Sequence, residues 1–163
     1  MDVSLVVFQD LIGSGGVMMN IKEKIKISLI EKTDFLRQSG YSNRIEKNEA
    51  WNFTLSYLDS GKGLAIEFEI DYRDLDVFVF VTVLENGRLP SRYYMHKDKM
   101  VRIHLEKLIE DGKVKAGNWR GITNIRRKLK NQSEHRIISL IDAYCVLLKE
   151  TIGEIQQLDS RAF

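Results

Sequence analysis

Five carboxylates lie close together in the stretch EFEIDYRDLDVFVF, residues 67–80: Glu67, Glu69, Asp71, Asp74 and Asp76. Carboxylates on neighbouring strands can hold Mg²⁺, because hard cations prefer several oxygen ligands and keep bound water for hydrolysis. Metal-dependent nucleases commonly place a lysine two positions after such an acid. Here another acid stands at that position, both after Glu67 and after Asp74. The pattern therefore favours an acidic surface over a metal site, and we predict neither metal ligands nor a cofactor.

The alternation of acids with large hydrophobic residues assigns Glu67, Glu69 and Asp71 to one face of a strand. Such a row of like charges either stays hydrated or meets cations from another molecule. The preceding strand offers mainly neutral polar residues opposite them. We therefore predict that the five acids, with Arg73 as a local counter-charge, bind a positively charged protein partner. A merely hydrated strand face is the alternative.

A basic stretch, GKVKAGNWRGITNIRRKLKNQ, covers residues 112–132 and suggests a second kind of site. Bases on the outer face of a helix at residues 120–130 could contact phosphates while Trp119 stacks on a nucleobase. The candidate nucleic-acid-binding residues are Arg126, Arg127, Lys128 and Lys130. However, Trp119 keeps helical register with Ile122 and Ile125, which burial in the core also explains. The chain carries no RNP, helix-turn-helix or zinc signature, so nucleic acid is the alternative partner rather than the expected one.

Other potentially reactive residues form no catalytic pattern. His96, His104 and His135 have no ligand-pair spacing, and His104 is expected on the side of a helix. Cys145 lies in a strongly apolar helix, where a thiol packs as a small hydrophobic residue. The glycine-rich segment at residues 13–16 lacks the strand and lysine of a phosphate loop. We therefore predict a protein that is not an enzyme.

Length and composition favour a compact, intracellular protein. The chain has 163 residues, of which 44% are hydrophobic and 29% charged, with a single proline. The lone Cys145 cannot form an internal disulfide, which predicts a reducing compartment, the cytoplasm. The apolar start lacks the basic leader of a secretory signal and is too short to span a bilayer. We predict a flexible leader over residues 1–19, a single α+β domain over residues 20–163, and no membrane contact.

The charges are unevenly distributed, although the formal net charge is only +2. Residues 46–85 carry nine acids and three bases, whereas residues 101–136 carry ten bases and four acids. In sequence the molecule is an electrostatic dipole.

Hydrophobic periodicity predicts the elements that position these groups. Asn20 caps a helix that runs to about residue 38, and two alternating strands at residues 50–58 and 64–72 form a hairpin. The nearly continuous apolar run at residues 77–84 predicts the central strand. A short edge strand is expected near residues 93–94, followed by helices at 101–112 and 119–129 and a long helix from 133. The fold class is α+β: an antiparallel sheet of three to five strands, with an N-terminal helix and two to three C-terminal helices packed against it.

The segment FLRQSGYSNRIEKNEAWNFTLSYLDSGKGLAIEFEIDYRDLDVFVFVTV resembles a recurrent pattern in small bacterial immunity proteins. In that pattern the opening helix ends in a glycine and an aromatic residue, as at Gly40 and Tyr41, and a strand ends in Asp-Tyr-Arg-Asp, as at residues 71–74. The closing helix of these proteins is similar to SLIDAYCVLLKETIGEIQ. The resemblance covers most of residues 20–158.

The resemblance implies a protein that caps the catalytic face of a secreted toxin and needs no cofactor. Relatives of this kind include the partners of contact-dependent growth inhibition toxins. Many such toxins are nucleases with basic active sites, which a carboxylate-bearing surface can block. The expected partner is therefore a cognate protein toxin domain, bound through the acidic sheet surface.

Overall fold

The computed structural model of this chain describes residues 20–91, 95–96, 99–159 and 163. The leader predicted over residues 1–19 and the strand predicted near residues 93–94 lie outside the described residues. Among the described helices, none combines the length and the apolar composition needed to cross a bilayer.

Helices and strands follow in an order that groups the strands together. The helices are α1 (Ile21–Thr33), α2 (Phe35–Gln38), α3 (Leu105–Glu110), α4 (Gly121–Lys128) and α5 (Ser133–Ile155). The strands are β1 (Asn43–Asn48), β2 (Asn52–Asp59), β3 (Leu64–Asp71), β4 (Asp76–Val83), β5 (Met95–His96), β6 (Lys99–Met100) and β7 (Arg102–His104).

The main sheet has five strands in the order β1-β2-β3-β4-β7, and every neighbouring pair is antiparallel. The hairpin of β5 and β6 forms a separate two-stranded sheet. The predicted fold class is confirmed, since an antiparallel sheet packs with an N-terminal helix and C-terminal helices. The apolar run at residues 77–84 was predicted to be the central strand. This prediction is wrong, because β3 is central and the run forms β4, between β3 and β7.

Local signals explain how the N-terminal helices begin and end. The Asn20 side chain accepts a hydrogen bond from the backbone N–H of Lys22 at 2.7 Å, which satisfies a free donor of the first turn. The predicted single helix is two, because α1 ends at Thr33 and α2 follows Asp34. Gly40 then adopts φ +101°, and Tyr41 is buried against the core.

One face of the sheet, the core face, packs against α1 and α5. Tyr57 on β2 shares a hydrogen bond of 2.8 Å with Thr33 on α1. Alternate residues of β2, β3 and β4 line this face: Phe53, Leu55, Tyr57, Ile66, Phe68, Ile70, Val77, Val79 and Val81. All of them are fully or almost fully buried. The remaining strand residues project from the opposite side, called the second face below.

Single elements differ from the sequence-based picture at three places. Strand β1 was not predicted, because five of its six residues are polar and all six are exposed. Trp51 was included in the first predicted strand, with its burial left open; it lies in the β1–β2 turn and is 61% exposed. His104 was placed on a helix, whereas it ends strand β7, and helix α3 begins only at Leu105.

Candidate functional site

The five predicted acids lie on β3, on β4 and in the turn between them. The register sets those on β3 opposite residues of β4: Glu67 opposite Phe80, Glu69 opposite Phe78 and Asp71 opposite Asp76. Directly opposed residues project from the same face. The acids of β3 therefore lie on one face, the second face, as the alternation predicted. Two aromatic rings of β4 lie on the same face.

Glu67 is buried rather than exposed, with 1% of its surface accessible. Ser56 on β2 donates to its Oε2 at 3.1 Å, and Thr82 on β4 donates to its Oε1 at 2.5 Å. Arg102 on β7 donates from Nε to the same Oε1 at 3.1 Å. The expectation of an exposed Glu67 is wrong, because this row of donors supplies the hydrogen bonds that a buried carboxylate requires.

Glu69 is held by the same arginine but remains one quarter exposed. Arg102 Nη2 donates to Glu69 Oε2 at 2.9 Å, and its guanidinium lies 3.5 Å from the ring centroid of Phe80. The ring and the two carboxylates fix the planar guanidinium between them. Glu69 is therefore a positioned charge at the surface.

Asp76 belongs to a different, partly buried network. Its Oδ1 accepts from Arg126 Nε at 2.9 Å, and its Oδ2 accepts from Arg136 at 3.4 Å. Arg126 also donates to the carbonyl of Val77 at 2.8 Å and to Glu106 at 3.1 Å. Asp76 is thus neutralised by bases of α4 and α5 instead of being available to a partner.

Tyr144 on α5 completes this network. Its hydroxyl donates to Glu106 Oε1 at 2.5 Å and accepts from Arg126 at 3.0 Å. Burial and the Glu106 carboxylate raise the pKa of the Tyr144 hydroxyl well above its ordinary value. Burial acts to lower the pKa of Arg126, but Tyr144, Asp76 and Glu106 more than offset it. Tyr144 therefore stays neutral and Arg126 stays charged at physiological pH.

Asp71 and Asp74 lie at the β3–β4 turn. Asp71 Oδ1 accepts from the backbone N–H groups of Arg73 at 2.8 Å and Asp74 at 3.0 Å, which closes the turn. Asp74 is 68% exposed, and its contact with Arg73 is long, at 3.8 Å. Arg73 is thus a weak counter-charge, as expected of an exposed pair.

The accessible part of the second face lies at this end of the sheet. The residues involved are half-exposed or exposed: Asn52, Thr54, Glu69, Asp71, Asp74 and Phe78. We call them the acidic end. At the opposite end of the face, Leu58, Ala65, Leu84 and the network around Glu67 are buried. The structure therefore brings three of the five predicted acids, Glu69, Asp71 and Asp74, to one accessible surface.

Aromatic contacts border the acidic end. The His104 ring meets Phe80 at 4.2 Å and Phe78 edge-on at 5.7 Å between centroids. More than one third of the His104 surface is accessible, and the partial burial of its ring against Phe80 lowers its pKa. Of its charged neighbours, Glu106 and Glu69 raise that pKa, while Arg102 and Arg126 lower it further. His104 is therefore neutral at physiological pH.

The bases proposed for nucleic-acid binding do not share one surface. Arg126 turns toward the sheet, so its predicted position on the outer face of a helix is wrong. Arg127, Lys128 and Lys130 are exposed. Trp119 precedes α4 and packs against the core, with the Arg120 guanidinium 5.7 Å from its ring centroid. Among the described contacts of Trp119, none keeps a face of the indole ring accessible to a nucleobase.

Residues with metal-binding or nucleophilic chemistry are dispersed. In the described part of the chain, no three His, Cys, Asp or Glu side chains are grouped to hold a metal ion. Cys145 is buried on α5, where burial and the nearby Asp142 raise its pKa to about 11. Its Sγ lies 3.5 Å from the carbonyl oxygen of Lys32.

Sequence reasoning missed the arginines that neutralise the acids. Arg102 follows Val101, whose spacing with Leu105 and Leu108 is typical of a helix, so the sequence did not indicate the place of Arg102 on β7, beside β4. Arg126 and Arg136 are separated from Asp76 by 50 and 60 positions. One signal in the sequence could have indicated this internal pairing. An acidic segment is followed by a basic segment, while the net charge of the whole chain is only +2.

Comparisons with protein-family models, with curated proteins and with solved structures find no match to this chain.

Proposed function

We propose that this chain is an immunity protein that binds a toxin domain through the acidic end and covers the toxin's basic active surface. The observation that supports this most is the trio of Glu67, Glu69 and Arg102. Two carboxylates share one guanidinium, so within this trio one negative charge is uncompensated. Because Glu67 is buried, the charge is offered to a partner at Glu69.

The acidic end is organised before binding. Glu69 is held by Arg102, and Asp71 is held by two backbone N–H groups. A partner lysine or arginine therefore meets carboxylates that lose little conformational freedom on binding. Asp74 is 68% exposed, so its charge acts chiefly by raising the association rate.

Phe78 supplies the apolar part of the contact. It lies directly opposite Glu69 on the neighbouring strand and is half-buried, so its position is fixed by the sheet. Aromatic rings beside positioned charges are typical of the residues that carry most of the affinity at protein interfaces. A nuclease toxin with arginine or lysine around its active site fits this surface.

The test uses the toxin domain whose gene neighbours the gene of this chain. The variant Glu69→Gln/Asp71→Asn/Asp74→Asn removes three charges but keeps the shapes and hydrogen-bond acceptors. We expect titration calorimetry to give an affinity about 10- to 100-fold weaker than that of the wild-type chain. Co-production of this variant should also protect cells less well from the toxin.

The matched control is Glu31→Gln/Glu110→Gln/Glu134→Gln, which removes three charges elsewhere on the described surface. It should bind the toxin as the wild-type chain does. An equal loss of affinity in both variants would mean that only net charge matters. Unchanged affinity in the first variant would remove the acidic end as the binding surface, and no binding by the wild-type chain would remove the function itself.

A further inference from the structure

Strand β1 is an exposed edge of the main sheet. All six residues of Asn43–Asn48 are exposed, and in the described part of the chain β2 is the strand that pairs with it. An edge strand offers a row of N–H and C=O groups to another chain. Ile45 is 40% exposed and projects from the second face, directly opposite Ser56. Ile45 thus offers an apolar contact to a strand that pairs with this edge.

Symmetry restricts how two copies of β1 can pair. A twofold axis perpendicular to the sheet runs the two strands antiparallel and leaves each side chain on its own face. Opposed residues must share a face, and side chains alternate between faces. The axis must therefore pass through a residue of β1, with its neighbours opposed in reciprocal pairs.

One axis position gives complementary pairs. With the axis through Ile45, the two isoleucines meet, and Arg44 of each copy lies opposite Glu46 of the other. An axis through Arg44, Glu46 or Lys47 would instead oppose two like charges at its centre, which destabilises a strand pair. The order of residues in β1 is thus self-complementary in a single central register.

From this register we infer that β1 pairs with β1 of a second copy of this chain, which joins two five-stranded sheets into one. Helix α1 supports the same occupant. Lys26 contacts Glu46 at 2.9 Å, so this helix lies above the edge. Ile27 is an exposed hydrophobic residue five positions before Lys32, about 140° around the helix from it. Lys32 pairs with Asp142 on α5, and Ile27 therefore lies on the flank turned away from α5.

An interface formed by one six-residue strand from each copy is small, so the dimer should dissociate on dilution. Sedimentation equilibrium over about a hundred-fold range of concentration measures this directly. We expect the average mass of the wild-type chain to rise with concentration toward twice 18.9 kDa. A mass that stays at that of one chain throughout would overturn the inference.

Charge reversals test the register. Glu46→Arg opposes like charges at two places, whereas Arg44→Glu/Glu46→Arg exchanges the two charges and restores both cross-chain pairs. Both variants lose the contact between Lys26 and residue 46. Glu46→Arg also breaks the pair of Arg44 and Glu46 within one chain, at 3.5 Å, which the double variant restores. The comparison therefore requires that Glu46→Arg keeps the strand content of the wild-type chain. We expect the single variant to be monomeric and the double variant to dimerise like the wild-type chain.

The control is Glu31→Arg, which makes the same charge change on the exposed side of α1 and should leave the dimer intact. Circular dichroism should show the same secondary structure in all variants. A dimer that survives Glu46→Arg, or a double variant that stays monomeric, would rule out this register. None of these results depends on the toxin, so they are separate from the test of the proposed function.

Discussion

Arg102 on β7 and Glu67 on β3 form an ion pair across 35 positions of the chain, with 3.1 Å between Nε and Oε1. The pair joins the basic half of the sequence to the acidic half. The same happens at Asp76, which receives Arg126 and Arg136 from the C-terminal helices. Much of the charge asymmetry seen along the sequence is therefore satisfied inside the folded molecule, and a smaller acidic surface remains.

Two neighbouring arginines of α4 should differ in their effect on stability. Arg126→Ala breaks contacts to Asp76, Glu106, Tyr144 and a backbone carbonyl. The partly buried Glu106 loses its arginine, and Asp76 keeps only the longer contact with Arg136. We expect the free energy of unfolding to fall by about 2–4 kcal/mol. Urea denaturation followed by circular dichroism measures this change.

Arg127→Ala is the matched control, because it makes the same chemical change one residue later in the same helix. Arg127 is exposed and donates a hydrogen bond to Asn124 at 3.3 Å. Its effect should stay within about 0.5 kcal/mol. Equal effects of the two substitutions would contradict the inward orientation of Arg126.

The thiol of Cys145 should react slowly in the folded protein. Burial and Asp142 raise its pKa to about 11, and the thiolate is the reactive species. With the reagent DTNB near pH 8, we expect the rate in native protein to be at least about tenfold lower than in protein unfolded by urea. Similar rates in both states would show that the thiol is accessible.

Protonation of His104 should lower stability in mild acid. Because burial lowers its pKa in the folded state, the unfolded chain binds the proton first as the pH falls below the ordinary histidine value. The contribution of His104 is therefore fully present above the unfolded pKa and is lost as the pH falls toward the folded pKa.

The variant His104→Gln removes this titration. Between about pH 7.5 and 5.5, it should lose less free energy of unfolding than the wild-type chain does. Other titrating groups contribute equally to both proteins and cancel in the comparison. Identical pH dependence in the two proteins would refute a role for His104.

Features set by neighbouring residues were predictable from the sequence. The Asn20 cap, the left-handed Gly40 and the tight turn at Asn86 and Gly87, with φ of +52° and +73°, each depend on a few adjacent positions. The alternation in β2 and β3 likewise assigned most residues to the correct face. These signals are local, so they survive without knowledge of the fold.

Features that depend on distant residues were not predictable. Strand β1 carries no apolar alternation, because both of its faces are exposed and its place is decided by pairing with β2. The burial of Glu67 depends on Arg102, whose strand was taken for a helix. A buried carboxylate and a hydrated one look alike in sequence until the partner is known.

The arrangement of the acidic end depends most on the internal pairing of Glu67 with Arg102. A double-mutant cycle measures the energy of this pair. Urea denaturation would measure the free energies of unfolding of the wild-type chain, Glu67→Gln, Arg102→Met and the double variant. We predict that Arg102→Met alone costs about 3–5 kcal/mol, because it leaves a buried carboxylate without its cation. The coupling energy between the two substitutions should be about 1–3 kcal/mol. Additive effects, with a coupling energy below about 0.3 kcal/mol, would contradict the pairing of Glu67 with Arg102.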